Sequence, residues 1–173
     1  MKQLDIFSDS CDQVLSKPKM VHHYTLFVDG ASRNNPGQSG AGIYLLRDSQ
    51  VVCERGFYLG IKTNNQAEYI AFLLGLFFIA QHYELGDKVR IVSDSQLLVM
   101  QVNGKYKVQN AALKPLHSLA QKMVRLYAAQ VVHVLRTENT NADAMANHGV
   151  DNKVPLPGEF MKLLQSHKII ITV

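Results

Sequence analysis

LFVDGASRNNPG, Leu26 to Gly37, decides how the rest of the chain is read. An apolar run reads as a buried strand, yet it ends on Asp29 and falls into Gly, Ser, Asn and Pro, the residues of turns. A carboxylate aimed out of a hydrophobic strand has meaning only if other carboxylates arrive at the same place. Working outward, the strand opens as YTLFVD, and AGIYLLRD and VVCERGFYLG follow as a hairpin joined at Asp48-Ser49. NNQAEYIAFLLGLFFIAQHYE is a long helix in which Ala67, Ala71 and Gly75 recur at i, i+4 and i+8, small enough for close packing on a sheet. VRIVSD is a fourth strand, SQLLVMQVNG a short helix ended by Gly104, and LKPLHSLAQKMVRLYA a further helix. QVVHVLR is a fifth strand. NTNADAMANHG is a helix with Asn139 or Thr140 near its cap and Gly149 beyond its end. The order βββαβααβα predicts an α/β fold: a mixed five-stranded sheet, an antiparallel meander plus two parallel strands, flanked by helices.

At 173 residues the chain is the size of one domain with short tails. Residues 1–21 lack sustained periodicity and are expected to form a mobile tail, 22–150 the folded domain, and 151–173 an extension packing on it. The composition, 47% hydrophobic and 18% charged, is that of a soluble globular protein. The longest apolar run, YIAFLLGLFFIA, is too short to span a bilayer, and the N-terminus carries no secretory pattern. Cys11 and Cys53 fit no metal-ligand spacing and read as reduced thiols of a cytoplasmic protein. The net charge of +4 permits a polyanionic partner without requiring one.

Four acids occupy element ends in this reading. Asp29 ends the first strand, Glu68 lies in the first turn of the long helix, Asp94 ends the fourth strand, and Asp143 lies in the first turn of the last helix. If strands one and four are parallel, their C-terminal ends lie side by side, where sites form in open sheets. Singly, each acid has an ordinary explanation as a turn residue or a partner of a helix dipole. Together they would repel one another, a cost that a hard divalent cation removes. An all-oxygen ligand set with no Cys or His points to Mg²⁺ or Mn²⁺.

VDGASRNNPG, TNNQAEY, VSDSQLLV and RTENTNADAMAN resemble, in the same order, the four signature blocks of type-1 ribonuclease H, over roughly residues 23 to 150. The resemblance implies the ribonuclease H fold and endonucleolytic cleavage of the RNA strand of an RNA–DNA hybrid. It implies that Asp29, Glu68, Asp94 and Asp143 bind metal, Asp29 bridging two ions with Glu68 and Asp143 to either side. It places Asn64, Asn65 and Gln96 against the hybrid, and Asn35 and Thr63 at a phosphate of the DNA strand. Asn35, Asn64 and Asn65 can equally be turn formers or helix caps.

Two departures stand out. The loop before the last acid, RTENTNA, has no histidine where relatives carry a mobile one; His133 falls in a strand, and Arg136 and Glu138 are the nearest charges. The segment NGKYKVQNAALKP is short where some relatives have a basic protrusion. In the tail, QLDIF resembles the peptide with which bacterial replication proteins dock on the sliding clamp, with Leu4, Ile6 and Phe7 as anchors and Gln3 at the rim. Two rivals remain: a weakly active or non-catalytic hybrid-binding module of this fold, and a proofreading-type 3′ exonuclease. The exonuclease expects a carboxylate two residues after the first Asp, where this chain has Ala31.

Overall fold

The computed structural model describes residues 20–173. The stretch holding Gln3, Leu4, Ile6 and Phe7 lies outside the described residues, as does all but the end of the 1–21 segment. The chain runs through β1 (His23–Arg33), β2 (Gly37–Arg47), β3 (Gln50–Lys62), α1 (Asn64–Ala80), β4 (Lys88–Ser93), α2 (Gln96–Val102), α3 (Lys114–Leu126), β5 (Gln130–His133), α4 (Thr140–Asn152) and α5 (Gly158–Ser166). The strands form one sheet in the order β3-β2-β1-β4-β5. β1, β2 and β3 pair antiparallel, whereas β4 runs parallel to both β1 and β5. This is the mixed five-stranded sheet that the sequence predicts.

The hairpin turn at Asp48-Ser49 forms as expected, both residues in the left-handed region with φ 49° and 66°. That geometry matches the right-handed strand twist. The Asp48 carboxylate fastens it by accepting the His23 backbone N–H at 2.9 Å.

β1 is longer than its sequence suggests. Its parallel pairing with β4 stops at Phe27↔Val92, while its antiparallel pairing with β2 continues to Arg33↔Gln38. Asp29 therefore does not end the strand; it lies mid-strand, two residues past the point where its parallel neighbour has turned away. The gap left by β4 gives the carboxylate somewhere to go.

α1 is apolar around most of its circumference because it is covered on two sides, by the sheet and by α2 and α3. Gly75 permits the close approach: a Cβ there would come within 2.6 Å of the Leu26 side chain. Its start is fixed by a reciprocal cap, the Thr63 hydroxyl accepting the Gln66 N–H at 3.3 Å and the Gln66 side chain accepting the Thr63 N–H at 3.0 Å. The helix stops at Ala80, four residues short of the expected Glu84. There the Asp87 carboxylate accepts the N–H groups of Glu84 and His22, both at 2.9 Å, and bends the chain into β4.

α4 lies on the opposite face of the sheet, against β2 and β3. Gly149 does not follow this helix but sits inside it, since a Cβ there would meet the Phe57 N at 2.4 Å. Lys153, in the left-handed region at φ 51°, closes the helix instead. β5 is shorter than QVVHVLR implies, ending at His133 before a single 3-10 turn at Arg136–Glu138. Beyond α4, Phe160 and Leu164 of α5 are buried in the same core, the Phe160 ring 5.6 Å from that of Phe77. The edge of β3 is met by Val154, whose carbonyl accepts the Tyr58 N–H at 2.7 Å.

Candidate active site

The four acids predicted to converge do line one cleft. Asp29, Glu68, Asp94 and Asp143 share a depression of about 420 Å³ with Asn64, Arg136 and Asn147. Each reaches it from a different element: Asp29 from β1 beyond the end of β4, Asp94 from the turn after β4, Asp143 from the first turn of α4, and Glu68 from α1. Glu68 is not in the first turn of its helix, as expected, but is its fifth residue. It reaches the cleft because α1 crosses β1 at Gly30, where a Cβ would fall 2.1 Å from the Glu68 N. The Gly30 N–H then donates to Glu68 Oε2 at 3.3 Å.

Asp29 and Glu68 are each only 6% exposed. Burial first, then the charges of Asp94 and Asp143, push the Asp29 carboxyl from its ordinary 3.8 to about 7; Arg136 and the Gly30 N–H pull the other way. Glu68 is raised well above the ordinary carboxylate range, again by burial first and then by Asp29 and Asp94. The cleft thus holds more negative charge than its surroundings can solvate.

Asp94 and Asp143 each have a protein partner on at least one carboxylate oxygen. Asp94 Oδ1 accepts from the Asn139 side-chain amide at 2.6 Å, and its backbone carbonyl lies 3.2 Å from His133 Nε2. Asp143 Oδ1 pairs with Arg136 Nη2 at 2.9 Å, which raises the Arg136 guanidinium through that hydrogen bond. Among the described residues, no group of three or more His, Cys, Asp or Glu is disposed to hold a metal ion as the chain stands. The chemistry of the donor set nonetheless fits a hard dication: four carboxylates, two of them buried and charge-frustrated, with the exposed Arg136 paired to one of them.

The expected substrate contacts divide. Asn64 is exposed at the cleft mouth, and its backbone N–H donates to Asn35 Oδ1 at 3.0 Å, so Asn35 braces the start of α1. Thr63 is the cap of that helix. Asn65 and Gln96 are exposed near the helix starts but do not line the cleft. Sequence reasoning took Asn139 only as a residue near a helix cap and passed over Asn147. Asn147 stands four residues after Asp143, and its side chain donates to the Asp143 carbonyl at 2.9 Å. The i, i+4 spacing was the available signal.

The sequence model of the reverse transcriptase-like family matches residues 27–149. A ribonuclease H of Methylococcus capsulatus is 30% identical over 160 residues, covering 83% of this chain and 92% of that protein. The chain belongs to the reverse transcriptase-like, ribonuclease H family. The match spans the cleft and all four carboxylates. Ribonuclease HI of Halobacterium salinarum is 36% identical over 135 residues, covering 76% of this chain. This chain spans 65% of that relative's length and 34% of the mycobacterial relatives it matches. The crystal structure of the RNase H1 from Halobacterium salinarum superposes with a TM-score of 0.71 at 33% identity, covering 75% of this chain and 98% of that one. LC11-RNase H1 in complex with an RNA/DNA hybrid superposes with a TM-score of 0.67 at 29% identity, covering 75% and 97%. Ribonuclease H family membership and fold therefore rest on sequence and structure together. No helix of the described residues is long and apolar enough to cross a membrane.

Proposed function

We propose that this chain is a divalent-metal-dependent endoribonuclease that hydrolyses the RNA strand of RNA–DNA hybrids by a two-metal-ion route. The observation that carries the reading is the convergence of four carboxylates from chain-distant elements on one cleft, with Asp29 and Glu68 held above their ordinary range. The solved hybrid complex of LC11-RNase H1 supports the substrate class.

Asp29, Asp94, Glu68 and Asp143 would hold Mg²⁺ or Mn²⁺. What bound cations supply there is charge relief on the phosphate oxygens and a water acidic enough to attack. The protein's own part is positioning. Gly30 and Asn139 fix the directions of Glu68 and Asp94, and Arg136 must release Asp143 for that carboxylate to act as a ligand. Arg136 is exposed, so the exchange costs little. Asn64, Asn65 and Gln96 would face the 2′-hydroxyls and base edges of the shallow groove, and Asn35 and Thr63 a phosphate of the DNA strand.

A gel assay on a labelled RNA–DNA hybrid with Mg²⁺ or Mn²⁺ tests this. Wild type cuts only the RNA strand, and Asp94→Asn loses at least about 100-fold. Metal-independent cutting, or full activity in Asp94→Asn, would overturn it. Duplex RNA, duplex DNA and a single ribonucleotide in DNA define the substrate range.

The second reading is a hybrid-binding module with little catalysis, and one observation favours it: Arg136 sits on Asp143 where a cation would be needed. Hybrid binding without cutting at any metal concentration identifies that case. We also propose that Gln3, Leu4, Ile6 and Phe7 dock on a bacterial sliding clamp in the cytoplasm, raising the effective concentration at the substrate. Calorimetry with a peptide of residues 1–12 and a clamp decides it, and absence of binding removes the idea.

A further inference from the structure

An asparagine at a helix start ordinarily turns its side chain onto the first free N–H groups, a cap that stabilises the helix. Asn139 occupies that position at the start of α4 and makes no such bond. Its side chain is directed inward, 1% exposed, and its Nδ2 donates twice: to Asp94 Oδ1 at 2.6 Å and to the Val28 carbonyl at 3.0 Å. Its own Oδ1 is fully buried and has no partner among the described residues. The orientation is dictated by these neighbours, because exchanging N and O would press the amide oxygen against two acceptors with no proton between them.

The fold therefore forgoes a cap and leaves a buried carbonyl unsatisfied, both of which cost stability. Such losses persist where an arrangement serves something other than stability. Val28 immediately precedes Asp29, Asp94 follows β4, and Asn139 opens the helix that carries Asp143. One amide thus joins the three backbone segments that present three of the four carboxylates, at the gap where β1 outlasts β4.

We propose that Asn139 is a positioning residue of the active site: its side-chain amide holds one oxygen of Asp94 and the Val28 carbonyl together, leaving the other Asp94 oxygen to a divalent cation. The proposal rests on the metal-dependent reading of the cleft. Asn139 acts through Asp94 and touches neither substrate nor cation. Removing a hydrogen-bond partner of a metal ligand costs about 10–100-fold in metal affinity.

The test is calorimetric titration of the full chain, without nucleic acid, with Mg²⁺ and with Mn²⁺, comparing wild type with Asn139→Ala and the near-isosteric Asn139→Asp. Both variants are expected to bind at least about 10-fold more weakly, and raised Mg²⁺ restores Asn139→Ala turnover with KM for the hybrid within about twofold of wild type. A role confined to holding the fold would lower the melting temperature without moving the metal dissociation constant, and that result overturns the proposal. If neither variant folds, the wild-type chain decides. Its Asn139 side-chain amide protons, in ¹⁵N-labelled protein, are expected to exchange slowly and to shift when Mg²⁺ is added. Random-coil shifts indifferent to Mg²⁺ overturn the proposal. The two readings fail separately: no Mg²⁺ binding by wild type removes the metal-dependent reading, whereas equal binding by wild type and Asn139→Ala removes only the role of Asn139.

Discussion

Asp29→Asn should make the protein more stable while disabling it, and the size of the gain should follow pH. The Asp29 carboxyl is raised from 3.8 to about 7 in the fold, chiefly by burial. At about 1.4 kcal/mol per pKa unit, that displacement converts to about 4 kcal/mol. Below pH 4 both folded and unfolded chains carry the proton, and the group costs the fold nothing. Between pH 4 and 7 the unfolded chain ionises while the folded one still holds its proton, so wild type steadily loses stability as pH rises. Above pH 7 both are ionised and the whole cost remains. An asparagine carries no charge at any of these values and escapes it. Its amide must still find partners in the cleft, so about 2–4 kcal/mol at pH 8 is the expected gain, or roughly 5–15 °C in Tm, shrinking toward zero near pH 3.5. Urea denaturation followed by circular dichroism in EDTA, at half-unit steps from pH 3.5 to 8.5, gives the difference curve directly. Adding Mg²⁺ at pH 8 should raise the midpoint of wild type and leave Asp29→Asn nearly unmoved, since only the charged cleft retains the cation. A wild-type-to-variant difference that is flat with pH, or a variant less stable at pH 8, would refute the claim that this cleft stores uncompensated charge.

Arg136→Ala removes the guanidinium paired with Asp143, and calorimetry should then show Mg²⁺ binding tightened a few-fold, about 0.5–1 kcal/mol for an exposed pair. Gly149→Ala places a methyl 2.4 Å from the Phe57 N inside α4, and urea unfolding should record a loss of at least about 1–3 kcal/mol, with activity falling because α4 carries Asp143. Thr63→Ala breaks the reciprocal cap of α1 and should cost about 1 kcal/mol in the same assay.

Strand polarity and helix order were legible because they follow from local rules: alternation, apolar runs and turn residues; the four acids line one cleft although Asp29 and Glu68 do not lie at the element ends expected of them. What local rules could not reach was the place where two strands part company. The sequence puts Asp29 at a strand end because turn-forming residues follow it, yet β2 keeps β1 extended to Arg33 through pairing that only the assembled sheet provides. The same holds for Gly149, which reads as a helix stop and is instead demanded by the Phe57 backbone passing beside it. Glu68 was expected at the cleft from the first turn of its helix and reaches it from the fifth residue, because the reach of its side chain depends on how closely α1 can approach Gly30.

Asn139 shows the limit most clearly. Read locally, an asparagine before Thr140 is a helix cap, and nothing within a few residues contradicts it. Its partners, Val28 and Asp94, lie 111 and 45 residues away in sequence. A side chain that bridges distant segments leaves no periodic trace; it is visible only as a local rule left unused, here a cap that the helix goes without. Where a fold declines a stabilising contact that its own sequence offers, the competing contact must be worth more to the molecule. In this cleft that contact ends on a carboxylate oxygen, which makes Asn139 the residue whose removal most cleanly separates holding the fold from holding the charge.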